Sequence, residues 1–144
     1  MKRIITILLS SVIYAVAYGQ TGLNVAPFFG DSYASNQKVS MITMTDGQLR
    51  DKGVRIYKSI SVADDIELAD KIGKAVAKDG ARAVTKDVSY KKGVLYYGFF
   101  SLGGVGNNRR YLLYLNRRPT GKEKTTLIFI EGTLDEKAVK RMIK

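Results

Sequence analysis

The chain reads as an α+β protein: an antiparallel sheet of four to six strands, a meander for most of its length, with two helices packed on it. Three observations lead there. Between Val84 and Glu131 four runs rich in Val, Ile, Leu, Tyr, Phe and Thr follow one another, the side chains that suit a pleated, packed surface. The links between them carry Gly, Asn, Pro and Lys, and neighbours joined by such short turns pair antiparallel. Two amphipathic helical segments then stand outside the meander, one before it and one after it.

The four runs are 84–90, 94–102, 110–116 and 125–131. Lys91-Lys92-Gly93 predicts a tight hairpin, 102–108 a looser one and 119–124 a third. The middle strands are apolar on both sides, with Leu95, Tyr97 and Phe99 opposed to Val94, Tyr96 and Phe100. In the last, Leu127 and Phe129 oppose Ile128 and Ile130. A sheet with one wet face would alternate more cleanly, so either both faces are covered or the tyrosine-bearing face is a contact surface.

Upstream, 38–45 and 54–60 alternate as strands, the second with Val54, Ile56 and Ile60 inward and Arg55, Tyr57 and Ser59 outward. The spacing predicts a helix over 64–78, its apolar stripe Ile66, Ala69, Ile72, Ala75 and Val76. Asp64, Asp65 and Glu67 sit at its positive end, and Gly80 is its stop. Thr133-Leu134-Asp135-Glu136 predicts a capping box opening a last helix, with Val139, Met142 and Ile143 as its apolar face. Residues 20–37 read as an arm that docks Phe28 and Phe29, and 38–144 as one domain.

Residues 1–19 read as a secretory signal peptide. Lys2 and Arg3 precede an apolar run over 4–16. Small residues at 15, 17 and 19 suit cleavage before Tyr18 or Gln20. The run is too short for an ordinary membrane span, and no cysteine follows it to take a lipid. The expected location is periplasmic or secreted, with membrane contact only during export.

Composition excludes whole classes of chemistry. The 144 residues contain no His and no Cys, which removes imidazole bases, disulfides and the usual zinc ligands. No catalytic, metal or cofactor residue is expected. The formal charge of +11, or +9 without Lys2 and Arg3, is concentrated from Gly80 onward, where fourteen Lys or Arg face five acids. Such a surface favours anionic partners without choosing among them.

Four motifs compete with structural explanations. Gly103-Gly104-Val105-Gly106 has the look of a phosphate cradle, but it leads into a strand, not a helix, and reads as a hairpin. Lys92, Gly93, Tyr96 and Phe99 faintly resemble the aromatic strand of RNA-recognition domains. Core packing explains them better, and nucleic acid is not the expected partner. Asp64, Asp65, Glu67 and Asp70 lack the irregular loop of a Ca²⁺ site. Arg109, Arg110, Arg117 and Arg118 bracket one strand and are the candidate anion- or partner-binding residues. As a clamp they would grip phosphate, sulfate or carboxylate bidentately; as edge charges they would keep a strand from aggregating.

Val54–Tyr57 as a strand, Ile66–Val76 as a helix, and 127–135, where Ile-Glu-Gly-Thr-Leu-Asp steps into a last helix, together carry a resemblance. It covers 38–144 and is to small exported domains of unknown function from gut-type Gram-negative anaerobes. Members commonly end in a strand and a Glu-Gly-Asp-hydrophobic-Asp-like step into a short helix; here Thr133 stands for the Asp. The resemblance implies export and this fold, and brings no catalytic residues. The expected function is a non-enzymatic envelope module binding an anionic or protein partner. The alternatives are an envelope hydrolase acting on glycan or phosphate, and an assembly component using edge-strand pairing.

Overall fold

A computed structural model describes residues 22–45, 47 and 49–143; the segment read as a signal peptide lies outside them. Six strands form one sheet: β1 (Val39–Met44), β2 (Val54–Ala63), β3 (Thr85–Lys91), β4 (Val94–Val105), β5 (Asn108–Asn116) and β6 (Lys124–Gly132). Their order is β1-β2-β6-β5-β4-β3, and every neighbouring pair is antiparallel. The chain is thus α+β as its pattern predicts. Helix α1 (Ile66–Gly80) joins β2 to β3, and helix α2 (Glu136–Met142) follows β6.

Over β5, β6 and the middle of β4 the doubly apolar strands have both faces covered; Leu95, read as sharing a side with Tyr97 and Phe99, packs with Phe100 instead, past a register shift at Tyr90. Against α1 lie Ile60, Val62, Phe100, Leu112, Leu127 and Phe129, meeting Leu68, Ile72 and Val76 of the helix. Against α2 lie Val54, Phe99, Tyr111 and Ile130, closed by Leu134 and Val139. Consecutive residues such as Phe99 and Phe100 therefore serve opposite cores, as the pleat requires. Tyr57, read as outward, packs on the α2 side, and Ser59 is buried, because β2 is an inner strand flanked by β1 and β6.

The arm enters as two short 3-10 turns, Ala26–Phe29 and Asp31–Tyr33, which bury Val25, Phe28 and Phe29 in the α1-side core. Asp79 holds it there. Its buried carboxylate accepts from the Asn24 amide and side chain, both at 2.8 Å, and from the Val25 amide at 2.9 Å.

Several local expectations are corrected. Helix α1 runs two residues later at each end than its spacing predicts. Asp65 is its N-cap, accepting from Leu68 N at 3.1 Å, and Asp64 before it takes a left-handed φ of 57°, which Asp tolerates. Ile66, assigned to the stripe, is 62% exposed because it precedes the face that meets the sheet. Gly80 does not stop the helix; it lies in the last turn, where a Cβ would come within 2.6 Å of the Phe100 ring. At α2, Asp135 caps instead of Thr133, accepting from Ala138 N at 2.9 Å. Leu134 must first turn inward, and its carbonyl accepts from the buried Tyr111 hydroxyl at 2.9 Å. Only beyond that contact can the helix begin.

The hairpins follow their turn residues. Lys92 and Gly93 both have positive φ, 53° and 76°, as a type I′ turn requires. The glycine segment is the exception: read as a loose hairpin over 102–108, it is instead strand, with β4 running to Val105, which pairs with Asn108 across a two-residue turn. Gly104 stands so close to the Asn108 carbonyl that no side chain fits.

Candidate functional site

A concavity lies on the α1 face, where the helix stops short of the sheet's far edge. Its wall is the outer flank of α1, with Gly73, Ala77, Gly80 and Ala81 at helical spacing, none bulky enough to reach β3. Its floor is Phe100 and Tyr114 inside and Val88, Tyr90, Val94 and Leu95 outside. The resulting groove has a volume of about 540 Å³, within the usual range for a small-molecule site. It follows eleven helical residues from Asp70 to Gly80, roughly 15 Å of rise.

Two packing choices make that floor. Gly98 pairs with Val88 and Tyr114, and its missing side chain leaves room for the Phe100 ring, which would lie 2.6 Å from a Cβ there. The same ring fills the space over Gly80, so it is clasped between helix and strand and shapes the inner end. β3 is the edge strand; none of its residues is buried, and Tyr90 is 63% exposed. Apolar surface is thus continuous from the groove to the sheet edge.

The other end of the groove is polar and held in place. Arg118 follows β5 and points back across the α1 face. Its Nη1 donates to Asp70 at 2.7 Å and its Nε to Asn116 Oδ1 at 3.0 Å, and its own amide donates to that same oxygen at 3.1 Å. Asn116 is buried, and its Nδ2 donates to the Leu95 carbonyl at 3.3 Å, tying the network to β4. Burial pulls the Arg118 guanidinium down, but the Asp70 hydrogen bond and charge outweigh it and raise it overall. Burial likewise pushes the Tyr114 phenol up, opposed by Arg118, which reaches its hydroxyl. Lys74, one turn beyond Asp70, and Lys86 on β3 complete the rim; neither makes an ion pair among the described residues.

The four arginines do not converge. Arg110 and Arg117 are separated by seven residues of extended backbone, roughly 24 Å, and successive residues face opposite sides of the sheet. One clamp closing on one anion is not what they build. Arg118 belongs to the groove, while Arg117 is exposed beside it and carries the turn through its backbone, accepting from Thr120 Oγ1 at 2.7 Å. At the far end Arg109 is exposed and reaches the Tyr111 hydroxyl. Arg110 pairs across strands with the buried Glu131, whose Oε2 accepts from Arg55 Nη1 at 3.2 Å.

Arg55, Lys74, Lys86 and Asn116 were not among the sequence candidates. Arg55 reaches Glu131 only because β6 inserts between β2 and β5, an order that local pattern does not encode. The groove had one legible sign, the small residues at 73, 77, 80 and 81 beside the bulky stripe.

The acidic residues at the start of α1 are accounted for separately. Asp65 caps, Glu67 pairs with Lys71 at 3.7 Å, and Asp70 holds Arg118. Among the described residues no group of three or more His, Cys, Asp or Glu is placed to hold a metal, and no helix is long and apolar enough to cross a membrane.

No curated protein and no solved structure matches the chain. Over residues 12–143 it matches the family of unknown function DUF6108, and the chain belongs to that family.

Proposed function

We propose that the chain is exported and acts in the cell envelope as a non-enzymatic binding module, with the groove between α1 and β3–β4 as its binding surface. The observation that carries this reading is the groove: an apolar concavity built by small helix residues, floored by aromatic rings and rimmed by cations. Apolar lining with a few placed polar groups is the usual make-up of a small-molecule site. Export is supported by Lys2-Arg3, the apolar run behind them and the small residues at 15, 17 and 19.

The test uses a neutral solvatochromic dye and the purified chain. Dye fluorescence should rise on binding to the parent and stay at the free-dye level with Ala77→Trp, whose indole fills the groove from an exposed helix position. Equal binding by parent and variant, with unchanged thermal unfolding, would overturn the site. Export is tested by the N-terminal mass of protein from the envelope fraction: cleavage before Tyr18 or Gln20 supports it, and an intact Met1 in the cytoplasmic fraction refutes it.

A further inference from the structure

We infer that the occupant of the groove is a single-chain amphiphile with a monoanionic carboxylate head, the head lying at the Arg118–Lys74 end and the chain running toward Phe100 and Gly80. The inference rests on the groove being the binding site and names what it takes.

Shape sets the body of the ligand. The groove follows one helix flank from Asp70 to Gly80 against one strand pair, and its lining between the two ends is Gly, Ala, Val, Leu and aromatic ring. An extended aliphatic chain buries its whole length there, and each methylene withdrawn from water adds to its binding.

Charge sets the head. At the inner end Lys86 is the only cation of the lining among the described residues. At the outer end Arg118 is fixed by Asn116 and Asp70, its side chain only 21% exposed, so its remaining donors are presented without a large ordering cost. Asp70 balances Arg118, which leaves Lys74 as one uncompensated positive charge beside an oriented guanidinium. That arrangement complements a single negative charge. A carboxylate accepts from a guanidinium and an ammonium at once, with the charge assistance that shortens and strengthens such bonds. A cationic head would meet Lys74 and Arg118 directly, and a neutral one would leave their charge unanswered.

The experiment is calorimetric titration of the purified, delipidated chain with dodecanoate, dodecanol and dodecylammonium, all below their aggregation concentrations. Dodecanoate should bind about tenfold tighter than dodecanol, and dodecylammonium weakest. Lys74→Ala should cut the dodecanoate preference to roughly threefold, and Lys74→Ala/Arg118→Gln should abolish it, while dodecanol affinity stays put. Lys52→Ala/Lys137→Ala, which removes the same charge away from the groove, should keep the full preference. Dodecanol binding as tightly as dodecanoate, or the distant pair losing the preference as fully as Lys74→Ala, overturns the anionic head and leaves the groove standing. Failure of all three ligands and of the neutral dye would instead bring down the groove reading and this inference together.

Discussion

The two faces of the sheet are built from the same strands yet closed differently. On the α1 side a fifteen-residue helix and the docked arm cover β1, β2, β6 and β5, but the flank of the helix toward β3 is Gly and Ala, and a groove remains. On the α2 side a seven-residue helix closes the core around Phe99, because the corner at Leu134 plugs the sheet first and Tyr111 ties it down; the hollows left there, about 360 and 270 Å³, lie along the flanks of α2 and are smaller than the groove. A longer cover does not make a tighter seal. What decides is whether bulky side chains reach the last strands, and on the α1 side the residues that would do so are absent.

Phe99 and Phe100 give the most direct way to break that contrast. Both are buried neighbours on β4, one on each face. Phe99→Ala should cost about 4–5 kcal/mol, the upper range for such truncations, since Phe99 is fully buried among Tyr111, Ile130 and Val139. Phe100→Ala should cost nearer 3 kcal/mol, because its removal enlarges a groove that solvent already enters. Urea unfolding of the two variants decides it, and equal losses would mean the faces are sealed alike.

Next in size is Asp79→Ala. It removes three hydrogen bonds that pin the arm, leaving the buried Val25 amide without its carboxylate, and should cost about 2–3 kcal/mol in the same assay. Proteolysis near Asn24 should accelerate with it. An unchanged cleavage rate would show that Phe28 and Phe29 hold the arm alone.

The two tyrosines sharpen the contrast further. Tyr111→Phe leaves the buried Leu134 carbonyl without a donor and should cost about 1–2 kcal/mol, while Tyr114→Phe, facing the groove, should cost under about 0.5 kcal/mol at neutral pH. Alkali should separate them differently. Burial raises the Tyr114 phenol in the folded chain, so the folded state keeps a proton that the unfolded chain releases. That contribution is intact below the ordinary phenol pKa of about 10 and is lost as pH rises through the folded value. Tyr114→Phe should therefore make thermal unfolding less sensitive to pH above that point; an identical slope refutes it.

The smallest effects belong to the caps. Asp65→Ala and Asp135→Ala should each cost about 1 kcal/mol. They should differ in kind: α2 is too short to hold a helix by itself, so Asp135→Ala should raise amide exchange locally there, whereas Asp65→Ala should lower global stability.

Strands, turn residues and the helical stripe were legible because each is a local rule. Lys92-Gly93 states its own turn, and Ala69, Ile72, Ala75 and Val76 state a face, although Ile66, read as part of it, lies outside and Leu68 takes its place. The details that failed are those where a distant partner outbids the local rule. Thr133 has the right spacing for a cap, but the contact between Leu134 and Tyr111 moves the helix start to Asp135. Gly80 has the composition of a stop, but a phenyl ring from β4 needs its bare Cα. The candidate site was half legible for the same reason. Arg118 stood out as a clustered charge, and both its separation from Arg109 and Arg110 and its contact with Asn116 follow from the one strand between them, but its meeting with Asp70 depends on helix placement that no local window contains.

That placement has a consequence for how the chain comes together. The final strand, β6, sits third in the sheet, between a hairpin made early and a meander made later. Until residues 124–132 exist, β1–β2 and β3–β4–β5 are two separate ribbons with no shared backbone pairing, and neither helix has a complete surface to lie on. On the export route proposed above, a chain threading a channel amino end first would stay loose until nearly all of it had passed. Clipping it anywhere before Gly132 should leave material that never sets.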